Sequence, residues 1–372
     1  MIAAMPHEVH TGDAHRAPKV YIVILNWNNG TDTIECLESV YRLDYPDFEV
    51  VLCDNASTDE SMALVERWAR GDVEPSSTSA RRGSPIPHAA PVPKPIVIHD
   101  PRWEHAVEND VERSSLTLIR LPDNGGFARG NNAGLAYAQR RGDAQFVWLL
   151  NNDTVVDEKA LSALVNRACA DPRIGICGSL LLFYDRPDRV QAAGGAVYHR
   201  ATATVTTIAH DASPQTLPAP EVVEARIDYI VGASMLVSRG FLDAVGLMRE
   251  DYFLYYEEVD WVLRAGRRFK LAFAPGSIVF HKEGASAGSS SNWRTRSEIS
   301  DLCALRNRLL ITRRFYKAYY PIVFASIVAA FFRRLLRRQP DRARHILRML
   351  LNPESYRLPL PDGSFLTVAR SK

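Results

Sequence analysis

The chain predicts an α/β protein: a doubly wound mixed sheet with helices on both faces, followed by a C-terminal helical extension. Three observations carry this. Short apolar runs (KVYIVILNW at 19–27, FEVVLC at 48–53, QFVWLL at 145–150) have the length and β-branched content of strands buried on both faces. A polar turn and a stretch of helical spacing follow each, which is the βα alternation of an open parallel sheet. The last third changes to long helical segments rich in arginine.

The 372 residues suffice for one large domain or two smaller ones, and 46% apolar with 24% charged residues is ordinary for a globular core. A formal net charge of +2 argues against bulk nucleic-acid binding. Five cysteines without C-x-x-C spacing predict free thiols in a reduced, cytoplasmic compartment. Residues 1–18 lack a basic segment followed by an apolar run, so a disordered tail is expected rather than a leader.

In chain order, the first strand ends in the turn-rich Asn26-Trp27-Asn28-Asn29-Gly30, with Thr31 or Asp32 able to cap the next helix. The second ends in Asp54-Asn55-Ala56-Ser57 and leads into a helix to about residue 70. Open sheets bind ligands at the carboxyl ends of their strands, which is where Asn26, Asn28, Asp54 and Ser57 fall; the same residues serve equally as turn and cap residues. Residues 71–115, rich in Pro, Ser and Ala, predict a flexible insertion. A strand at 116–121 then leads to Asp123-Asn124-Gly125-Gly126, before a helix at about 128–140 whose first N–H groups could face a phosphate. The strand at 145–150 runs into Asn151-Asn152-Asp153. A carboxylate there suits Mg²⁺ or Mn²⁺ on a diphosphate, and Asp157 is the better cap for the helix at 158–170.

Shorter strands are expected at 174–183, 190–198 and 203–208, forming an acceptor-side half with a mixed sheet. A strand at 227–238 carries a Gly-Ala-Ser interruption where a substrate could lie against the backbone. A short helix at 241–245 precedes FLYYEEVDWVLR at 253–264, read as a helix start with acids in its first turn. Asp260 and Arg264 can pair one turn apart, while Glu258 lies on another face and can reach a cleft as a proton acceptor. A strand at 269–280 delivers His281, equally a metal ligand or a structural histidine. A basic helix is expected at 293–316. The apolar stretch at 318–332, interrupted by Pro321 and flanked by Arg333, Arg334, Arg337 and Arg338, suits either an anionic membrane surface or a buried C-terminal helix.

Seven stretches, VILNWNNG, VVLCDNASTDES, NGGFARGNNAGL, FVWLLNNDT, IVGASMLVSR, FLYYEEVDWVLR and VFHKEGAS, stand in the order found in the family 2 glycosyltransferases of the GT-A fold. The chain resembles that family over about residues 20–314, and most closely its rhamnosyltransferase-like branch. The resemblance implies a Rossmann-like GT-A domain at 19–290, helices at 291–352 and an irregular tail at 353–372. It implies inverting transfer of a sugar, with rhamnose first among the candidates, from a dTDP- or UDP-sugar donor to a glycan or polyprenyl-linked acceptor. It places base and ribose at Asn26, Asn28 and Asp54, the catalytic base at Glu258, and a divalent metal, Mg²⁺ or Mn²⁺, at Asp153 with His281. Asn151 stands where a fuller D-x-D motif has its first acid. Ser57, Asn124, Gly125, Gly126, Asn131, Asn152, Glu257 and Trp261 complete the expected substrate-binding set. A catalytically inactive module of the same fold, binding sugar nucleotide or glycan, is the chief rival reading; a nucleotidyltransferase on a similar sheet is a third, and the weakest, since the Gly-x-Gly and basic signature expected near its first strand is absent.

Overall fold

The computed structural model describes residues 17–73, 91–99, 115–282, 297–353 and 356. Along the chain run β1 (Val20–Asn26), α1 (Gly30–Val40), β2 (Phe48–Asp54), α2 (Ser61–Arg70), β3 (Val97–His99), β4 (Ser115–Arg120), α3 (Gly126–Arg141), β5 (Phe146–Asn151), β6 (Thr154–Val156) and α4 (Ala160–Cys169). Then come β7 (Ile174–Phe183), β8 (Arg186–Ala193), β9 (Gly195–His199), β10 (Thr204–Thr207), α5 (Pro220–Glu224), β11 (Tyr229–Ile230), β12 (Ser234–Ser238), α6 (Arg239–Val245), α7 (Glu257–Ala265), β13 (Lys270–His281), α8 (Glu298–Phe315), α9 (Tyr320–Leu336) and α10 (Pro340–Leu351).

The main sheet has the order β3-β4-β2-β1-β5-β12-β7-β13-β6, with β8 paired to β7; β10, β9 and β11 form a second, three-stranded sheet. Along the main path only β12 and β6 run against their neighbours. The carboxyl ends of β1, β2, β5, β7 and β13 therefore lie along one rim, and β12 begins on that rim.

The two-residue period of the strands sorts the core into two faces. Val20, Ile22 and Ile24 of β1 pack with α1, α2 and α4 through Leu37, Trp68 and Leu164. Tyr21 and Val23 pack on the other face with α3, α6 and α7 through Leu135, Phe241 and Trp261. On that second face α3 lies close to β1: a Cβ at Gly130 would come within 2.2 Å of Leu25, and one at Gly134 within 2.4 Å of Val23. A third apolar cluster joins α8, α9 and α10 to Tyr252, Phe253 and Tyr256.

Several expectations are corrected. The insertion at 71–115 carries β3, an edge strand on β4. Its preceding segment is fixed by Glu38, which accepts from Val92 N (3.0 Å) and pairs with Lys94 (3.1 Å). The strand expected at 227–238 is two strands, β11 and β12, in different sheets. Pro321 stands in the first turn of α9, where its missing N–H costs nothing, so it starts that helix instead of interrupting it. Neither Thr31 nor Asp32 caps α1, which begins at Gly30 with both residues inside it. The stretch at 253–264 becomes helical only at Glu257, because Phe253, Tyr255 and Tyr256 are left-handed, with φ of 69°, 71° and 76°. The tail at 1–16, Glu283-Gly284, the start of the helix expected at 293 and most of the C-terminal tail lie outside the described residues.

Candidate active site

The rim opens with a polar knot after β1, β2 and β5. Asn26 is fully buried, and its Nδ2 donates to Asp54 Oδ1 and Ser57 Oγ, both at 3.0 Å. Its Oδ1 accepts from Thr33 Oγ1 (2.8 Å) and Asn152 Nδ2 (3.2 Å). An amide side chain offers two donors and one carbonyl, so Asn26 is saturated. The structure thus makes Asn26 and Asn152 a brace between three loops, not an open face for a base. Asp54 also takes Ser57 N (3.1 Å) and Ser57 Oγ (2.6 Å), and Asn28, left-handed at φ 50°, exchanges side-chain bonds with Thr58. This network groups Asn28, Asp54 and Ser57 where β1 and β2 end; Asp54 is buried beneath (4% exposed), while Asn28 and Ser57 are partly exposed.

The glycine pair before α3 is committed in the same way. Gly125 N donates to Asn55 Oδ1, Gly126 N to Asn124 Oδ1, and Phe127 N to Phe253 O at 2.7 Å. Gly126 has φ 84°, and a Cβ there would stand 2.2 Å from Phe253 O. The first two N–H groups of α3, those of Gly126 and Phe127, therefore hold protein atoms; the glycines let the chain before α7 come close. Asn131 is buried and bonds back to Phe127 O within its own helix. Trp261 is also a correction: it is fully buried, its Nε1 donates to Gly246 O (2.7 Å), and its ring meets Phe241 edge-on. It packs the core and shows no surface to a ligand.

Glu257 and Glu258 open α7 directly after the left-handed segment. Each left-handed residue with a Cβ costs on the order of 1–3 kcal/mol and persists only where its surroundings hold it. Asp260 pairs with Arg264 at 2.8 Å as expected, and also takes Tyr252 Oη (2.9 Å) and Arg314 (3.2 Å). Glu258 lies against Gly232, between β11 and β12, where a Cβ would stand 2.5 Å from Glu258 Oε1. The Gly-Ala-Ser interruption thus admits the Glu258 carboxylate to the backbone. Burial pushes the Glu258 carboxyl up to about 7, and N–H groups of Glu258 and Gly232 pull it partly back. Glu257 is 1% exposed, with Oε2 unpartnered among the described residues; burial first, then the Glu258 charge, raises it well above the usual carboxylate range.

Farther along the rim, Asn151 N donates to Ala233 O (3.1 Å), joining the β5 end to the Gly232 turn. The β6 register places Thr154 opposite His281, and Asp153 Oδ1 lies 3.2 Å from His281 Nε2. The other ring nitrogen meets Gln191 Oε1 at 2.7 Å, a partner of the kind that fixes a ligating histidine. Among the described residues no group of three or more His, Cys, Asp or Glu is placed so that it could hold a metal ion by itself. Asp153 and His281 fit a hard divalent ion that takes its remaining ligands from a diphosphate. Asp157 is not the cap expected of it: Lys159 is the N-cap of α4 and no side chain caps it, while the Asp157 carboxylate accepts from Lys159 N ahead of the helix.

Asn55 and Gln191 were not singled out in the sequence. Asn55 follows Asp54 in the same motif; Gln191 carries no local signal, because its partner His281 is 90 residues away. Gly232, read in the sequence as room for a substrate, receives the Glu258 carboxylate.

The model of the family described as "Glycosyl transferase family 2" matches residues 21–83 and 103–210. A hexosyltransferase of low-salt glycan biosynthesis, Agl10 of Haloferax volcanii, is 25% identical over 150 residues, covering 39% of this chain and 44% of that protein. The chain thus aligns with less than half the length of that relative. A crystal structure of GalNAc-T7 with UDP, GalNAc and Mn²⁺ superposes with a TM-score of 0.54 at 16% identity, covering 83% of this chain and 50% of that one. A mannosyltransferase from Pyrobaculum calidifontis, in complex with GDP-Man and Mn²⁺, covers 90% of this chain and 76% of its own at 16% identity and a TM-score of 0.49. The α/β domain, with its large, mostly parallel sheet, has the GT-A fold, and the helices α8 to α10 follow it.

Proposed function

We propose that the chain is a glycosyl transferase of family 2, whose model matches residues 21–83 and 103–210, and that it transfers a sugar from a nucleoside-diphosphate donor to a hydroxyl acceptor with inversion at the anomeric carbon. The observation that carries this is the placement of Glu258. It is a partly buried carboxylate on the rim where strands of such sheets present their ligands. Its proton affinity is tuned near neutrality. Glu258 takes the proton of the attacking hydroxyl. Glu257, kept protonated by burial, adds no second charge beside it. Asn28, Asp54 and Ser57 form the surface for the nucleoside, with Asn26 and Asn152 bracing it from beneath. Asp153 and His281 would hold Mg²⁺ or Mn²⁺, which when bound neutralises charge on the departing diphosphate. The mixed-sheet half, β7 to β11, borders the acceptor.

A glycan or polyprenyl-linked acceptor at the cytosolic face of a membrane suits the C-terminal helices. Among the described residues, the helix at Lys317–Leu336 is long and apolar enough to cross a membrane by length and composition. We read it as lying on the surface, because α9 buries Val323, Ile327 and Ala330 against α8 and α10 while Phe332 and Leu336 point outward beside Arg333, Arg337 and Arg338. Rhamnose on a thymidine diphosphate is the donor tested first, on the resemblance of the motifs.

The test is nucleotide release from a panel of dTDP-, UDP- and GDP-sugars with Mn²⁺ and a polyprenyl-linked acceptor mixture. Release with a glycosylated product is expected, and Glu258→Gln should lower kcat by about 10²–10⁴-fold with little change in donor affinity. Near-normal turnover in Glu258→Gln overturns the base assignment. Donor binding without release by the wild type would mark a non-catalytic module.

A further inference from the structure

We propose that Asn307, in the middle of α8, is a positioning residue for Glu258: it holds the left-handed segment from which α7 starts. The inference rests on the assignment of Glu258 as the base.

Asn307 is fully buried, and its Nδ2 lies 2.9 Å from Tyr252 O, 2.8 Å from Leu254 O and 2.9 Å from Tyr255 O. An amide carries two hydrogens, so one of the three bonds is shared. Three carbonyls, one from the end of a short 3-10 helix (Glu250–Tyr252) and two from the segment after it, thus converge on one side chain of another element. A buried amide in a helix core is costly unless its hydrogen bonds are made, and here the segment makes them. The Asn307 carbonyl is held in turn by Arg306 Nη1 (3.2 Å), which also donates to Asp251 O (2.7 Å). Arg314 grips both sides of the segment, through Asp251 (2.6 Å), Tyr252 Oη (2.7 Å) and Asp260 (3.2 Å). From the opposite side Phe127 N donates to Phe253 O.

The segment is therefore clamped between the start of α3 and the middle of α8, with Asn307 bonded to the strained part itself. Phe253, Tyr255 and Tyr256 lie in the region that side chains with a Cβ leave unless held. Glu257 and Glu258 follow without an intervening residue, so a change in the segment moves the start of α7. The Glu258 carboxylate has no slack, because the Gly232 backbone lies directly beneath it. A small rotation would part the two.

The test compares wild type, Asn307→Ala and Glu258→Gln as full chains, with the sugar nucleotide that turns over in the panel above. Asn307→Ala is expected to lower kcat about tenfold or more, to leave donor KM within about twofold, and to displace the acid limb of the kcat–pH profile. General loss of support would lower the folded fraction and leave that limb in place. Amide hydrogen exchange gives a readout that needs no turnover: residues 252–258 should exchange faster in Asn307→Ala while β1 and β2 keep their protection. If Asn307→Ala does not fold, Asn307→Ser, which keeps one donor, carries the same measurements. Unchanged exchange at 252–258, or wild-type kcat with a wild-type pH profile, overturns the inference. Loss of turnover in Glu258→Gln beside unaltered kinetics at Asn307 overturns this inference alone. Retained turnover in Glu258→Gln overturns the base assignment and this inference with it.

Discussion

Glu258 is a carboxyl group that the fold keeps partly from water while backbone N–H groups of Glu258 and Gly232 donate to it. Its folded-state value of about 7 lies above the ordinary 4.5, and two consequences follow. The basic form gains population as pH rises through about 7, so kcat should rise across that range and level off above it; a flat profile from pH 5 to 9 would count against the assignment. The stability term has the opposite sense. A carboxyl whose folded value is raised contributes stability that is complete below its unfolded value and is lost as pH rises through the folded one. Replacing Glu258 by Gln should therefore raise stability at pH 8, by about 1–3 kcal/mol, and change it little at pH 4. Thermal melts of the two proteins at both pH values check this. Asn26 is the contrasting residue: equally polar and on the same rim, but with every donor and acceptor filled by the protein.

At the scale of elements, the metal-binding proposal depends on a three-residue strand. β6 pairs with the end of β13 and so sets Asp153 against His281. If the two hold a cation for the diphosphate, UDP, GDP or dTDP should bind about tenfold or more tightly with Mn²⁺ than with a chelator. Asp153→Ala and His281→Ala should each remove most of that difference. Titration calorimetry reads this without turnover, and equal affinities in the wild type would exclude it. The long elements were legible in the sequence because a strand buried on both faces is a plain apolar run, and β1, β2 and β5 are such runs. β6 was not, since three residues show no period. The left-handed entry to α7 was hidden as well, because FLYY has no glycine to mark it and the conformation is imposed by α3 and α8. The site was legible as a set of motifs. Which of its polar residues are committed was not, because Asn26 is saturated, and the Asn152 amide nitrogen engaged, by partners up to 126 residues away. Trp261 belongs to the same class: an aromatic beside two acids suggests a ligand, and only the packing of α6 on α7 shows it filling the core.

At the scale of the molecule, the C-terminal helices have two sides. The inner side closes over Tyr252, Phe253 and Tyr256, and Arg334 is tied to Asp301 at 2.6 Å. The outer side shows Phe332, Leu336 (84% exposed) and Leu351 (79% exposed) among arginines. Such a face should bind vesicles containing phosphatidylglycerol and leave pure phosphatidylcholine unbound. Reversing Arg337 and Arg338 to Glu should weaken binding tenfold or more, at about 1 kcal/mol per basic residue near the surface. Co-sedimentation at low and high salt measures it, and equal binding to both lipids would exclude an electrostatic dock.

The clamp on the segment before α7 also constrains any exchange of parts between such enzymes. A chimera that kept residues 17–282 and took its remaining helices from another source would retain the proposed nucleoside surface and both glutamates. It would lose the amide, contributed by α8, against which the glutamates are set. The natural seam for recombination therefore lies beyond residue 315, and a transplanted catalytic half has to bring α8 with it.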